Sequence, residues 1–225
     1  IVGNVDVEAI KPLIEKYIGS IAKGKKATKI NQDNVIRFAK GQVNEVVEIP
    51  METPKSTVLQ LYTAYMPVNT KTEVALEVAK YVLDMIYTKS IREEEGGTYG
   101  VGLAMIGQKR PVEMALIQVY FDTNPESAEK LGALAAKGLQ ELAANGPELD
   151  KFNMAIENLK KNIPESRISN PYWSGNISQY YKYAIDYDAE YEEAVNTVTP
   201  EDVKAVLQAI LAQNNVINIT STPKK

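Results

Sequence analysis

Ile91-Arg92-Glu93-Glu94-Glu95-Gly96-Gly97-Thr98-Tyr99-Gly100 is the stretch at which the hydrophobic pattern changes its period. Upstream, Ala75, Leu76, Ala79, Val82, Leu83 and Ile86 recur at helical spacing, which predicts a helix over about 71–91. Downstream, Tyr99, Val101, Leu103 and Met105 occupy alternate positions, which predicts a strand over 98–106 with small residues on its other face. Residues 107–111 supply a turn and 112–121 a return strand. A helix that delivers the chain into a hairpin specifies an antiparallel or mixed sheet with its helices segregated to one face. The fold class is therefore α+β, a two-layer sandwich of sheet and helices.

The rest of the chain fits that frame. Residues 1–2 read as a strand end leading into a Gly3-Asn4 turn. Ile10, Leu13, Ile14, Tyr17 and Ile18 then mark one face of a helix over 7–18, with Asp6 as N-cap and Gly19 as its stop. Residues 20–34 are polar and lysine-rich, with no period, and read as a loop. Strands are expected over 42–49 and 57–65, the gap between them punctuated by Pro50 and Pro54. Helices follow over 125–144, stopped by Asn145-Gly146, over 149–163, and over 172–185, the last unusually aromatic. Thr199-Pro200-Glu201-Asp202 opens a further helix to about 211, and alternation over 216–220 closes the chain as a strand. No short-period repeat is present. The order reads as one domain over 1–225, and the absence of an initiator Met leads us to expect a fragment of a longer polypeptide.

Composition narrows the chemistry. The 225 residues include no histidine and no cysteine. That removes disulfides, thiol nucleophiles, the commonest zinc ligands and the commonest general base. No calcium-loop pattern of acidic residues occurs, so neither a catalytic group nor a metal site is expected in this chain. Hydrophobic residues make up 44% and the net charge is −4, enough for a core and too balanced for nucleic acid or an acidic membrane surface as main partner. No apolar run approaches the roughly 20 residues that cross a bilayer.

The candidate site is the junction itself. Gly96 and Gly97 allow close backbone approach, and a turn there can bring Arg92 and Tyr99, seven residues apart, toward one cleft. A guanidinium and a phenol are suited to holding peptide carbonyls or a developing oxyanion. The same residues also have a structural reading: Arg92 balances Glu93, Glu94 and Glu95 near a helix C-terminus, and Tyr99 is one more alternating strand residue. Tyr172, Trp173, Tyr180, Tyr181, Tyr183, Tyr187 and Tyr191 are a second candidate, either as the wall of a peptide chamber or as helix packing with hydroxyls reaching solvent. Glu93 to Glu95 read as a solvated acidic run. The glycines around Tyr99 precede a strand and not a helix, so they lack the geometry of a phosphate loop.

The run from Ile91 to Gly102 resembles the L-R-E-x-x-G-x-x-Y-x-V segment of the insulinase/pitrilysin family of zinc peptidases. Val2-Gly3-Asn4-Val5-Asp6, Gly146-Pro147-Glu148-Leu149 and Val198-Thr199-Pro200-Glu201-Asp202-Val203 are similar to three further segments of that family, in the same order. The resemblance implies the fold of the mitochondrial-processing-peptidase-like metallohydrolases. In that family an inverted H-x-x-E-H motif holds zinc in one half, while the other half lacks the motif and lends substrate contacts to a shared chamber. It implies that Arg92 and Tyr99 are substrate-binding and that this chain alone is inactive. Its partners would be peptide and the zinc-bearing half of the same protein or of a partner subunit, in a zinc-dependent metalloendopeptidase. Gly97 and Thr98 depart from the commoner small-apolar pair before the tyrosine. The E-E-E-G-G-T-Y form is similar to bacterial periplasmic members. A structural or assembly module of the same fold, as in core subunits of respiratory complexes, is the alternative.

Overall fold

In the computed structural model, which describes residues 1–24 and 35–224, Asp6 caps helix α1 (Val7–Tyr17), its carboxylate accepting from the amides of Glu8 and Ala9. The apolar stripe read for this helix exists, but no residue of α1 is buried. Periodicity identifies a face and does not supply its partner. Ile1 and Val2 lie in no strand, contrary to expectation, since neither finds a pairing partner among the described residues. The loop expected over 20–34 falls, for 25–34, outside the described residues.

Five strands form one mixed sheet among those residues: β1 (Gln42–Ile49), β2 (Ser56–Ala64), β3 (Gly102–Gln108), β4 (Met114–Thr123) and β5 (Val216–Pro223), in the order β1-β5-β2-β4-β3. The chain's last strand enters between β1 and β2, parallel to β1 and antiparallel to β2. The hairpin expected after the glycine junction is present as β3 and β4, paired from Gly102 opposite Tyr120 to Gln108 opposite Met114.

The pleat divides the sheet into two unlike faces. Val58, Gln60, Tyr62 and Ala64 of β2 lie beside Phe121, Val119, Ile117 and Ala115 of β4, and all eight are buried. Helices α2 (Thr70–Tyr87), α3 (Ala128–Asn145) and α7 (Pro200–Leu211) cover this face. Their own buried stripes include Val74, Val78, Leu83, Leu131, Leu139 and Leu207. Tyr87 of α2 is buried and donates to the Ala135 carbonyl of α3 at 2.8 Å; burial of its phenol pushes it well above its usual range. The opposite face carries Leu59, Leu61, Leu116, Tyr120, Ile106, Ile217 and Ile219, none of them buried.

Outside the first helical layer lie α4 (Leu149–Ser166), α5 (Asn170–Tyr183) and α6 (Tyr187–Thr197). Helix α6 is absent from the sequence reading, which ended its aromatic helix at 185. Ala184 breaks the chain there in the left-handed region at φ 57. A glycine or asparagine would have signalled such a break; alanine does not. Part of the aromatic run ties helices together. Tyr191 donates to Glu77 of α2, Tyr172 to Asp188, and the Trp173 indole to the Arg167 carbonyl. Hydroxyls expected in solvent thus end on carboxylates, while Tyr180 and Tyr181 remain exposed.

The α2–α6 seam has a pH signature. Burial raises the Glu77 carboxyl above its ordinary 4.5, partly offset by the Tyr191 hydroxyl, and burial raises Glu73 on the preceding turn. The folded chain therefore binds more protons than the unfolded chain between the two values, and this contribution to stability falls as pH rises through that window. Glu77→Gln keeps an acceptor for Tyr191 and removes the charge. It should raise the thermal midpoint by about 1–3 °C near neutral pH and leave it unchanged at about pH 4. Paired melts of the two chains at both pH values check this.

Candidate functional site

The junction that changes period in the sequence is irregular in three dimensions. Helix α2 passes at Thr88 into a π-helical turn over Thr88–Glu94. Ile91 is buried and pins this turn to the core. Each π turn holds more residues than an α turn, so it rotates the residues beyond it relative to α2, and such insertions recur at functional sites. Arg92 comes directly after Ile91 and is exposed. The acidic run does not simply balance it: Glu95 pairs with Lys130 of α3.

Gly96 then adopts φ +60, a left-handed conformation that glycine reaches without strain. Gly97 packs so tightly that a Cβ there would sit 2.5 Å from the Leu131 side chain. Its carbonyl accepts from the Thr123 hydroxyl at 2.6 Å. Beyond it, Thr98 donates to the Gly100 carbonyl at 3.0 Å and accepts from the Gly100 amide at 3.3 Å. The strand begins only at Gly102, so Tyr99 is not a strand residue, as 98–106 would have made it. Gly100 and Gly102 have no side chains to pack on β4, and the Thr98 hydroxyl closes a local loop in place of sheet pairing. Tyr99 stands at the apex with its side chain fully solvent-exposed, at 102% of the reference value.

A cleft of about 560 Å³ opens beside it. One wall is Gly96 to Tyr99, the other Thr53, Pro54 and Lys55, and Asp122, Thr123 and Asn124 close the end. Lys55 pairs with Asp122 at 2.8 Å, and Thr57 donates to the other carboxylate oxygen at 2.6 Å. The Lys55 and Thr57 hydrogen bonds hold the Asp122 carboxyl below its ordinary range. Tyr99 lines this cleft; Arg92 stands at the other end of the glycine turn and is not among its lining residues. No hydrogen bond joins Arg92 and Tyr99 among the described residues. Arg92 on the π-helical turn and Tyr99 on the loop beyond it both have open side chains, and only Tyr99 borders the cleft.

The sequence reading missed Thr123, Leu131, Lys130 and Lys55. Thr123 lay just beyond the return strand expected over 112–121, and its partner is 26 residues away in the chain. Nothing local marks such a contact. As for zinc, this chain has no histidine or cysteine, and no group of three or more acidic residues is placed to hold a metal among the described residues. Its donor set does not fit zinc.

Residues 1–159 match the model of the family described as Peptidase M16 inactive domain. The chain belongs to this family. A curated relative, the Probable zinc protease PqqL of Escherichia coli (strain K12), is 26% identical over 226 residues, covering 94% of this chain and 23% of the relative. The chain thus spans about a quarter of that protein's length. The crystal structure of the periplasmic protease PqqL from Escherichia coli superposes with a TM-score of 0.80 at 22% identity, over 99% of this chain and 25% of that one. The first half of PqqL, solved separately, also matches, with a TM-score of 0.70 at 8% identity over 99% of this chain and 50% of that one. The fold is therefore one found also within the first half of that protease.

Proposed function

We propose that this chain is the non-catalytic, substrate-binding domain of a zinc-dependent metalloendopeptidase, in which Arg92 and Tyr99 contact peptide in a chamber shared with a zinc-bearing half. The observation that carries the reading is Tyr99: a large aromatic side chain, fully exposed, on a backbone held on both sides. A loop fastened to the core beneath an exposed phenol presents that phenol in a defined place, which suits a group that contacts a ligand. Membership of an inactive peptidase family, and likeness to a zinc protease, support the division of labour. The unburied apolar face of the sheet adds an extended surface on which a peptide can lie. Arg92 and Tyr99 then donate to peptide carbonyls, and zinc chemistry belongs to residues outside this chain. Likeness to a periplasmic protease supports a periplasmic location.

The test has two parts. This chain alone should neither cleave peptides nor retain stoichiometric zinc after dialysis. The full-length parent carrying Arg92→Ala or Tyr99→Phe should lose peptide turnover while its zinc content, read by atomic emission, stays at the wild-type value. Full turnover in both variants overturns the reading.

A further inference from the structure

Resting on that reading, we infer that Thr123 is a positioning residue that sets Tyr99 through the Gly97 carbonyl, with Thr98 as its local counterpart. Thr123 ends β4 on the buried face of the sheet and is itself buried. Its hydroxyl reaches across to Gly97, two residues before Tyr99, at 2.6 Å. Helix α3 grips the same point from the other side. Leu131 occupies the space a Gly97 side chain would need, and the preceding residue, Lys130, pairs with Glu95. The loop is thereby fastened at 95 and 97 to two different elements of the core. The Thr98 hydroxyl then brackets Tyr99 by bonding both the amide and the carbonyl of Gly100.

The arrangement has a specific consequence. The Tyr99 ring is fully exposed, so its position relative to the sheet and cleft is inherited from the backbone on either side. Groups that contact a substrate act only when held close to the productive geometry, and rigid support beneath them supplies that precision. Removing the Thr123 hydroxyl keeps the fold and the side-chain shape but releases the Gly97 carbonyl. The Tyr99 loop then samples positions from which the phenol misses the peptide. Thr123 lines the end of the cleft, but its hydroxyl is engaged by the Gly97 carbonyl, so its effect runs through the loop that carries Tyr99.

The experiment is a double-mutant cycle in the full-length parent, read as kcat/KM on a quenched fluorescent peptide, with kcat and KM resolved. Thr123→Val should lower kcat/KM about fivefold, the scale of one lost hydrogen bond. Thr123→Ser, which keeps the hydroxyl, should restore it. Thr98→Ala supplies a second variant, remote from the core, with a loss in the same direction. In the Tyr99→Ala background Thr123→Val should cost nothing further. If the Thr123→Val loss persists undiminished in that background, or Thr123→Ser is as impaired as Thr123→Val, the role is structural and the inference is overturned. Full turnover in Tyr99→Ala alone instead overturns the reading beneath it.

Discussion

Phe121→Ala should destabilise the chain by about 3–5 kcal/mol and lower its thermal midpoint by roughly 10 °C. Phe121 is 1% exposed, sits opposite Val58 at the centre of the sheet, and faces the helical layer. Deleting its ring removes the transfer energy of a whole aromatic side chain and leaves a cavity that rigid neighbours on a sheet close only in part. Phe121→Leu deletes fewer atoms and should recover part of the loss. The control is its neighbour in sequence. Tyr120 points to the open face and is 44% exposed, so Tyr120→Ala should cost about 1 kcal/mol or less. Urea titrations of the three variants check the ranking. Equal losses at 120 and 121 would mean that the open face is packed in solution.

That contrast shows how far the pattern of the sequence reaches. A return strand was expected over 112–121, and β4 runs over Met114–Thr123, two residues further on. Strand β1 was legible to the residue, and α7 announced itself through Thr199 and Asp202, which cap each other as expected. These signals are local. The features that stayed hidden depend on partners far along the chain. β5 runs three residues beyond its alternation, to Pro223, because β1 continues to pair with it in parallel. α6 was hidden because an alanine makes the turn before it, and because its tyrosines read as one run with those of α5. α1 displays a stripe that no described residue buries.

The site was legible in a different sense. Arg92, Gly96, Gly97 and Tyr99 stood out because glycine pairs between a helix and a strand have a stereochemical reason, and because the segment resembles one family's motif. The loop's anchors were not visible. Thr123, Lys130 and Leu131 are ordinary residues in ordinary patterns, and only their positions in the fold give them the Gly97 and Glu95 contacts. Local sequence can thus nominate candidate residues on a loop, whereas the residues that hold the loop in place emerge from packing.

Arg92→Ala combined with Tyr99→Phe should lower kcat of the full-length parent by about 10²–10³-fold while the thermal midpoint of this domain stays within about 1 °C of wild type. The magnitude rests on the role of the two groups under the proposed function. A guanidinium and a phenol that donate to a carbonyl oxygen gain strength as charge develops on it, and removing one such donor costs on the scale of 2.7–4 kcal/mol, roughly two to three decades, where the closed chamber of the proposed function excludes water. Under the proposed function the two contacts serve one bound peptide and act as a unit, so the double variant should fall little below the worse single one. The unchanged stability rests on exposure. Arg92 is exposed on the π-helical turn and the Tyr99 ring is fully exposed, so neither substitution leaves a cavity or an orphaned buried group. Stopped-flow turnover with saturating peptide separates kcat from KM. A rise in KM with kcat unchanged would assign the pair to uniform peptide binding instead of to the reacting carbonyl. A fall in midpoint matching that of Phe121→Ala would assign it to the fold.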